Sequence, residues 1–142
     1  MAQAIFTQGK KEALKAIFNQ YNYLALGYSS DVTSSFDPNN PLEGDGQTFN
    51  ELKSTVNYSR VTFTTIDNAT ITVNDDNTVT MTLQADFDTS NITESTSINQ
   101  FAICKNASQD STTVDDIYCA GNFTEFVKDS TTGLTFVIEI FL

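Results

Sequence analysis

Few residues of this 142-residue chain could carry chemistry. Cys104 and Cys119 flank a polar stretch, so in a hairpin of even register they would face one another and could join as a disulfide where geometry allows. A chain made in the cytosol favours free thiols instead. Three acid pairs follow: Asp75 with Asp76, Asp86 with Asp88, and Asp115 with Asp116. Glycosidic hydrolysis needs two carboxyl groups across a cleft, one of them with a raised pKa. The first and third pairs read as turn residues and the second as the polar face of a strand end, so all three are expected to be solvated. There is no histidine, which removes the commonest general base and metal ligand together with the Ser-His-Asp, Cys-His and HExxH arrangements. Asp37 and Asn39 begin like a calcium loop, but Pro41 and Leu42 stand where that loop needs Asp or Asn and then Gly. Gly44 and Gly46 lack the third glycine and the Lys-Ser/Thr of a phosphate loop. No catalytic residue, cofactor or metal site is expected.

Charge narrows the partners. Eighteen acidic against seven basic side chains give a net charge of −11, which argues against nucleic acid, because phosphate contacts need clustered Lys and Arg. Lys10, Lys11 and Lys15 stand against Glu12 alone, so the first fifteen residues carry +2 of that balance and the remainder −13. A basic helix face on an acidic body is a candidate docking surface for an acidic neighbour, a second copy included. The N-terminus has no apolar stretch of signal-peptide kind, and no apolar run approaches the ~18–20 residues that span a bilayer. The expectation is a soluble protein made in a cytosol, with no membrane partner, whose five Asn-x-Ser/Thr sequons are chance products of a chain rich in those residues.

The elements that must position these groups follow from periodicity. Ala13, Leu14, Ile17, Phe18 and Tyr21 recur at helical spacing behind Thr7, predicting an amphipathic helix over 8–20 with Thr7 as N-cap. An apolar run at 23–28 reads as a buried strand or the turn out of one. Residues 29–47, with both prolines and few apolar side chains, Phe36 among them, read as a long surface loop of the kind that is functional or interfacial, or else disordered. Thr48 to Glu51 fits a capping box and predicts a short helix to about 55.

From there the period is two. Val61 and Phe63, Ile71 and Val73, then Val79, Met81, Leu83, Ala85 and Phe87 alternate with polar residues, and 74–77 supplies a hairpin turn. Later strands are predicted at 98–104, 117–120, 123–128 and 134–142, the last two joined as a hairpin through 129–133. The final strand is apolar on both faces, with Leu134, Phe136, Ile138 and Ile140 on one and Val137 and Phe141 on the other. Either a neighbouring subunit or the N-terminal helix is expected to cover the second face. The sum is one mainly β domain over 1–142, an antiparallel β-sandwich of about six to eight strands with its core at 58–142 and an N-terminal amphipathic helix.

Several short segments, in order, carry a resemblance. The helix Phe6 to Lys15, the stretch Tyr23 to Gly27, Phe49 to Leu52, Tyr58 to Val61, the step Ile98 to Ile103, and Ala120 to Glu125 together resemble the N-terminal attachment module of bacteriophage tail-collar and tail-fibre proteins. Gln100 and Ala102 stand where that family has glutamate and glycine. The resemblance implies a β-sandwich without catalysis that assembles as a homo-oligomer with other virion proteins, namely tail, collar, connector or fibre subunits. The location it implies is the virion, assembled in the host bacterial cytoplasm. Because such relatives continue into a long fibre and this sequence ends at Leu142, a stand-alone adaptor is the expectation. The candidate interface is Lys10, Lys11, Lys15, Phe36, Phe136, Ile138 and Phe141. The rival expectation is a receptor- or glycan-binding module that uses loops 29–47 and 106–116.

Overall fold

The structure, a computed structural model, describes residues 4–31, 49–64, 70–108 and 116–142. Among these it forms one α-helix, one 3₁₀ turn and seven strands: α1 (Thr7–Gln20), β1 (Tyr23–Gly27), the 3₁₀ turn Ser54–Val56, β2 (Val61–Thr62), β3 (Ile71–Val73), β4 (Val79–Phe87), β5 (Thr96–Cys104), β6 (Ile117–Lys128) and β7 (Leu134–Phe141). The strands pair antiparallel into a four-stranded sheet, β2-β1-β5-β6, and a three-stranded sheet, β3-β4-β7. The fold is the expected mainly β sandwich with an N-terminal helix.

The alternating apolar residues of β4 are all buried, and they meet Leu24, Leu26, Ile98 and Ile103 of the facing sheet in one cluster. Because β1 lies in the middle of the larger sheet, the sandwich core does not begin at 58 but includes 23–27. The helix closes one end of the sandwich. Leu14 and Phe18 enter the core, Phe18 and Tyr21 pack on the ring of Tyr118 at 5.1 and 5.5 Å between centroids, and Lys10 Nζ donates to the carbonyl of Asn77 in the β3-β4 turn at 3.0 Å. Thr7 is the first helical residue rather than the N-cap; Phe6 occupies that position without a side-chain hydrogen bond.

Three sequence expectations give way here. The capping-box helix does not form: Glu51 makes an isolated bridge to Gly27, and its carboxylate is engaged by Tyr58 and Arg60 instead. Residues 117–120 and 123–128 are one strand, bent by bulges against β5. The turn at 129–133 is not a hairpin, since β6 and β7 belong to different sheets. It carries the chain from one layer to the other, as 88–95 does between β4 and β5.

Both crossings are tied together by Lys128, whose buried ammonium donates to the carbonyls of Asn91, of Ile92 at 3.3 Å and of Asp129 at 3.2 Å. Burial lowers its pKa against the opposing pull of Asp88 and Asp129. Ile92 is held at φ 63°, a left-handed conformation that a β-branched residue adopts only under constraint. The constraint is visible: its N–H bonds the Asn57 carbonyl, its own carbonyl accepts from Lys128, and its side chain is wholly buried.

A second, smaller cluster lies on the outer face of the larger sheet, where Phe49 covers Ala25, Ala102, Cys104 and Ile117. This approach depends on Gly27, because a Cβ there would sit 2.4 Å from the Asn50 carbonyl oxygen and 2.9 Å from the Phe49 ring. The Tyr28 N–H to Asn50 and the Leu52 N–H to Leu26 hydrogen bonds, both 3.0 Å, seal the segment against β1.

Candidate functional site

The three helix lysines lie at the flank of α1 rather than on its open face. All are half-buried, whereas Glu12, Ala13, Ala16, Asn19 and Gln20 are exposed. Lys10 is held by Asn77, and Lys15 pairs with Glu12 at 2.7 Å, a surface contact of a few tenths of a kcal/mol at most, about 0.5 kcal/mol. Lys11 alone of the three has neither tie among the described residues. Two of the three candidate docking charges are therefore spent within the chain. Phe36 lies outside the described residues. Immediately before the helix, Ile5 and Phe6 stand 73% and 82% exposed.

The last strand divides as its alternation requires. Phe136 and Ile138 point between the sheets, where Phe136 meets Phe87, Phe123 and Phe126 at 5.9, 5.6 and 6.4 Å. They are nevertheless only half-buried, as are Leu134 and Ile140, while their partners on β4 are wholly buried. The reason is topological: β6 and β7 are the last strands of their sheets on the same side, and among the described residues no further strand closes that side of the sandwich. The opposite side is drawn together just after β2, where the Thr64 N–H bonds the Gln84 carbonyl at 2.8 Å. On the outer face of β7, Val137 and Phe141 are 60% and 64% exposed. The helix, expected as one way to cover them, plugs the sandwich end instead.

Backbone polarity of β7 follows from its end. Val79 and Leu142 exchange both hydrogen bonds at 2.9 Å, and the pairing with β4 runs without a register shift from Phe141 to Leu134. By alternation the N–H and C=O groups of residues 134, 136, 138 and 140 face β4, and those of Thr135, Val137, Glu139 and Phe141 point to the free edge.

The two cysteines are free. The expected facing pair does not form: Cys104 pairs with Ile117, two residues off the even register, and a bulge at Tyr118 then sets Cys119 opposite Ile103. Neighbours along a strand face opposite ways, which places Cys119 toward the inter-sheet core and Cys104 under Phe49. Burial pushes the Cys119 thiol up to about 11 and raises Cys104 further, so neither is a ready thiolate at neutral pH.

Sequence reasoning missed the main polar cluster. Arg60, its side chain fully buried, forks onto Glu51 through Nε at 2.8 Å and Nη2 at 2.7 Å, and reaches Asp116 at 2.9 Å and the Asn106 carbonyl at 2.8 Å through Nη1. Tyr58 donates its hydroxyl to Glu51 at 2.5 Å and accepts the Leu26 N–H at 3.1 Å. Desolvation opposes the Arg60 charge, and the Glu51 hydrogen bonds and charge outweigh it, so its pKa rises. The Tyr58 phenol is raised by burial first and by Glu51 second.

Asp116, expected among the solvated acids, is only 1% exposed and also accepts the Asn106 N–H at 2.8 Å. The other described acids fit the solvated reading: Asp76 and Asp88 accept from the Thr78 and Ser90 backbone in turns, and Asp86 accepts the Thr135 hydroxyl at 2.7 Å. With its polar groups mutually satisfied, the Arg60 cluster is a clamp joining 51–60 to the ends of the 106–116 loop. One signal was available, since Arg60 is one of few basic residues in an acidic chain and sits next to a strand.

Among the described residues no group of three His, Cys, Asp or Glu could hold a metal ion, and no helix is long and apolar enough to cross a membrane. No family model matches the chain, and neither the curated proteins nor the solved structures contain a match to it.

Proposed function

We propose that this chain is a non-enzymatic structural protein of a bacteriophage particle, an adaptor that joins tail-fibre, collar or baseplate subunits to the tail or head-tail connector. The motif resemblance supplies the family, and one structural observation supports an assembly role. The β6-β7 side of the sandwich leaves an inward apolar strip half-exposed and carries Val127, Val137 and Phe141 outward on strands that end their sheets among the described residues. Exposed apolar surface beside an open sheet edge marks an association site.

On this reading the main contact surface is that open side, with Ile5 and Phe6 as a second apolar contact. Lys11 is left as the helix lysine that can meet an acidic neighbour. The protein is expected at fixed stoichiometry in purified particles, measured by quantitative mass spectrometry. Its absence from particles that retain tails and fibres refutes the proposal.

A further inference from the structure

Natural sheet edges are protected by shortness, bulges, proline or charge. The described edges of this sandwich follow that rule with one exception. β2 has two residues, β3 has three, and β6 is bulged at two places. β7 runs eight residues in unbroken register, with no proline, no lysine and a single charged side chain, Glu139. On a chain with eighteen acidic residues and a net charge of −11, this strand is close to neutral. Two copies brought together along this edge therefore set little charge against charge, whereas a partner recognised by charge would seek the acidic surface.

We propose that β7 pairs antiparallel with β7 of a second copy about a two-fold axis at Val137, joining two three-stranded sheets into one of six. The backbone groups of Thr135, Val137, Glu139 and Phe141 already point outward, so this register places Val137 opposite the second copy's Val137, and Thr135 opposite its Glu139. On the inner face Phe136 meets Ile138 of the second copy and Leu134 meets its Ile140, covering the half-exposed apolar strip.

Strand overlap and charge together select this register: with β7 running from Leu134 to Phe141, an axis at Val137 or Ile138 keeps the most residues paired, and charge decides between those two. With strand spacing and rise of ordinary size, the two Glu139 carboxylates stand about 14 Å apart when the axis is at Val137, and about 8 Å apart when it is at Ile138. The larger distance lies well beyond the Debye length of about 8 Å at physiological salt, and the smaller does not. An axis at Glu139 would set the two carboxylates directly opposite. The nearest other acid, Asp86, pairs with Thr135 from β4 and so remains a strand further in, about 10 Å from the second copy's Glu139.

The pairing rests on the assembly reading only for its purpose, and it is tested on the isolated protein without phage. Sedimentation equilibrium at micromolar concentration is expected to give twice the chain mass for the wild type and the single chain mass for Val137→Lys. That residue is exposed, so the substitution leaves the fold intact, and circular dichroism checks this. Opposed residues at the axis form a hydrogen-bonded pair with Cα atoms about 5.5 Å apart, within disulfide range. Under mild oxidation Val137→Cys is therefore expected to give a covalent dimer that Ile138→Cys and the wild type do not. A monomeric wild type, a dimeric Val137→Lys protein, or cross-linking through Ile138→Cys in place of Val137→Cys each overturns the pairing. Absence of the protein from particles would overturn the virion role and leave the pairing intact.

Discussion

Replacing Arg60 by Met tests the buried clamp most directly. Methionine approximates the arginine stem in volume, so the change removes charge and hydrogen bonds without opening a large cavity. Among the described residues four contacts disappear, two to Glu51, one to Asp116 and one to the Asn106 carbonyl. Glu51 keeps the Tyr58 hydroxyl and Asp116 keeps the Asn106 N–H, but both carboxylates lose the cation that pairs them among the described residues, in a largely buried site. Removing one partner from a buried ion cluster costs about 3–5 kcal/mol, a large part of the roughly 5–15 kcal/mol that holds a domain of this size. At about 3 °C per kcal/mol for a chain of this length, the melting temperature should fall by roughly 10–15 °C. Arg60→Lys keeps the charge but cannot fork onto Glu51, and should fall between the variant and the wild type. The triple variant Glu51→Gln, Arg60→Met, Asp116→Asn removes the stranded charges along with the cation and should regain part of the loss. Urea unfolding followed by circular dichroism measures all four proteins. An Arg60→Met protein as stable as the wild type, or a triple variant no better than the single one, would refute the claim that uncompensated buried charge sets the cost.

Two further outcomes follow from neighbouring groups. The Tyr58 phenol is raised above its ordinary value of 10.0 in the fold, so the stability it contributes is complete below pH 10 and is lost as pH climbs beyond it, where the unfolded chain gives up the proton first. Unfolding midpoints measured from pH 8 upward should therefore decline above pH 10, by at most about 1.4 kcal/mol per pH unit for this group, and Tyr58→Phe should flatten the decline. Gly27→Ala puts a methyl against the Asn50 carbonyl; it should destabilise by about 1–3 kcal/mol and lift the Phe49 segment. Cys104, slow to react with a thiol reagent in the native wild type, should then label readily. Unchanged labelling would show that Phe49 does not control access to it.

The legible parts of this structure are those fixed by local repetition. The β4 alternation from Val79 to Phe87 and the helical spacing of Leu14 and Phe18 each state a buried face, and each is buried. What sequence did not state is which strand pairs with which. A hairpin at 129–133 and a crossing between sheets need the same turn residues, and only the pairing of β7 with β4 rather than β6 separates them. The same holds for chemistry at a distance. Thr48 and Glu51 satisfy a capping box by spacing alone, but Arg60 and Tyr58 offer Glu51 stronger partners once the chain folds, and tertiary charge prevails over a cap of about 1 kcal/mol. Cys104 and Cys119 were placed face to face by symmetry of the sequence between them, and a single bulge residue, Tyr118, turned them to opposite sides of the sheet.

The residue at that bulge also serves the fold. In the bulge, Tyr118 is aimed at the helix, where its ring packs on Phe18 and Tyr21. The extra residue in β6 thus sends one aromatic group out of the sheet to seat α1 across the sandwich end. That contact commits the apolar side of α1 to the β3-β4 turn and the start of β6, away from the outer face of β7. The helix therefore cannot serve as the cover that a strand apolar on both faces requires, and Val137 and Phe141 stay in water. Burying an aliphatic or aromatic side chain of that size is worth about 1.5–3 kcal/mol. With α1 held elsewhere, a second strand laid against the β7 edge gains that burial at Val137, and it gains edge hydrogen bonds that no other described strand of the sandwich offers over so long an unbroken run.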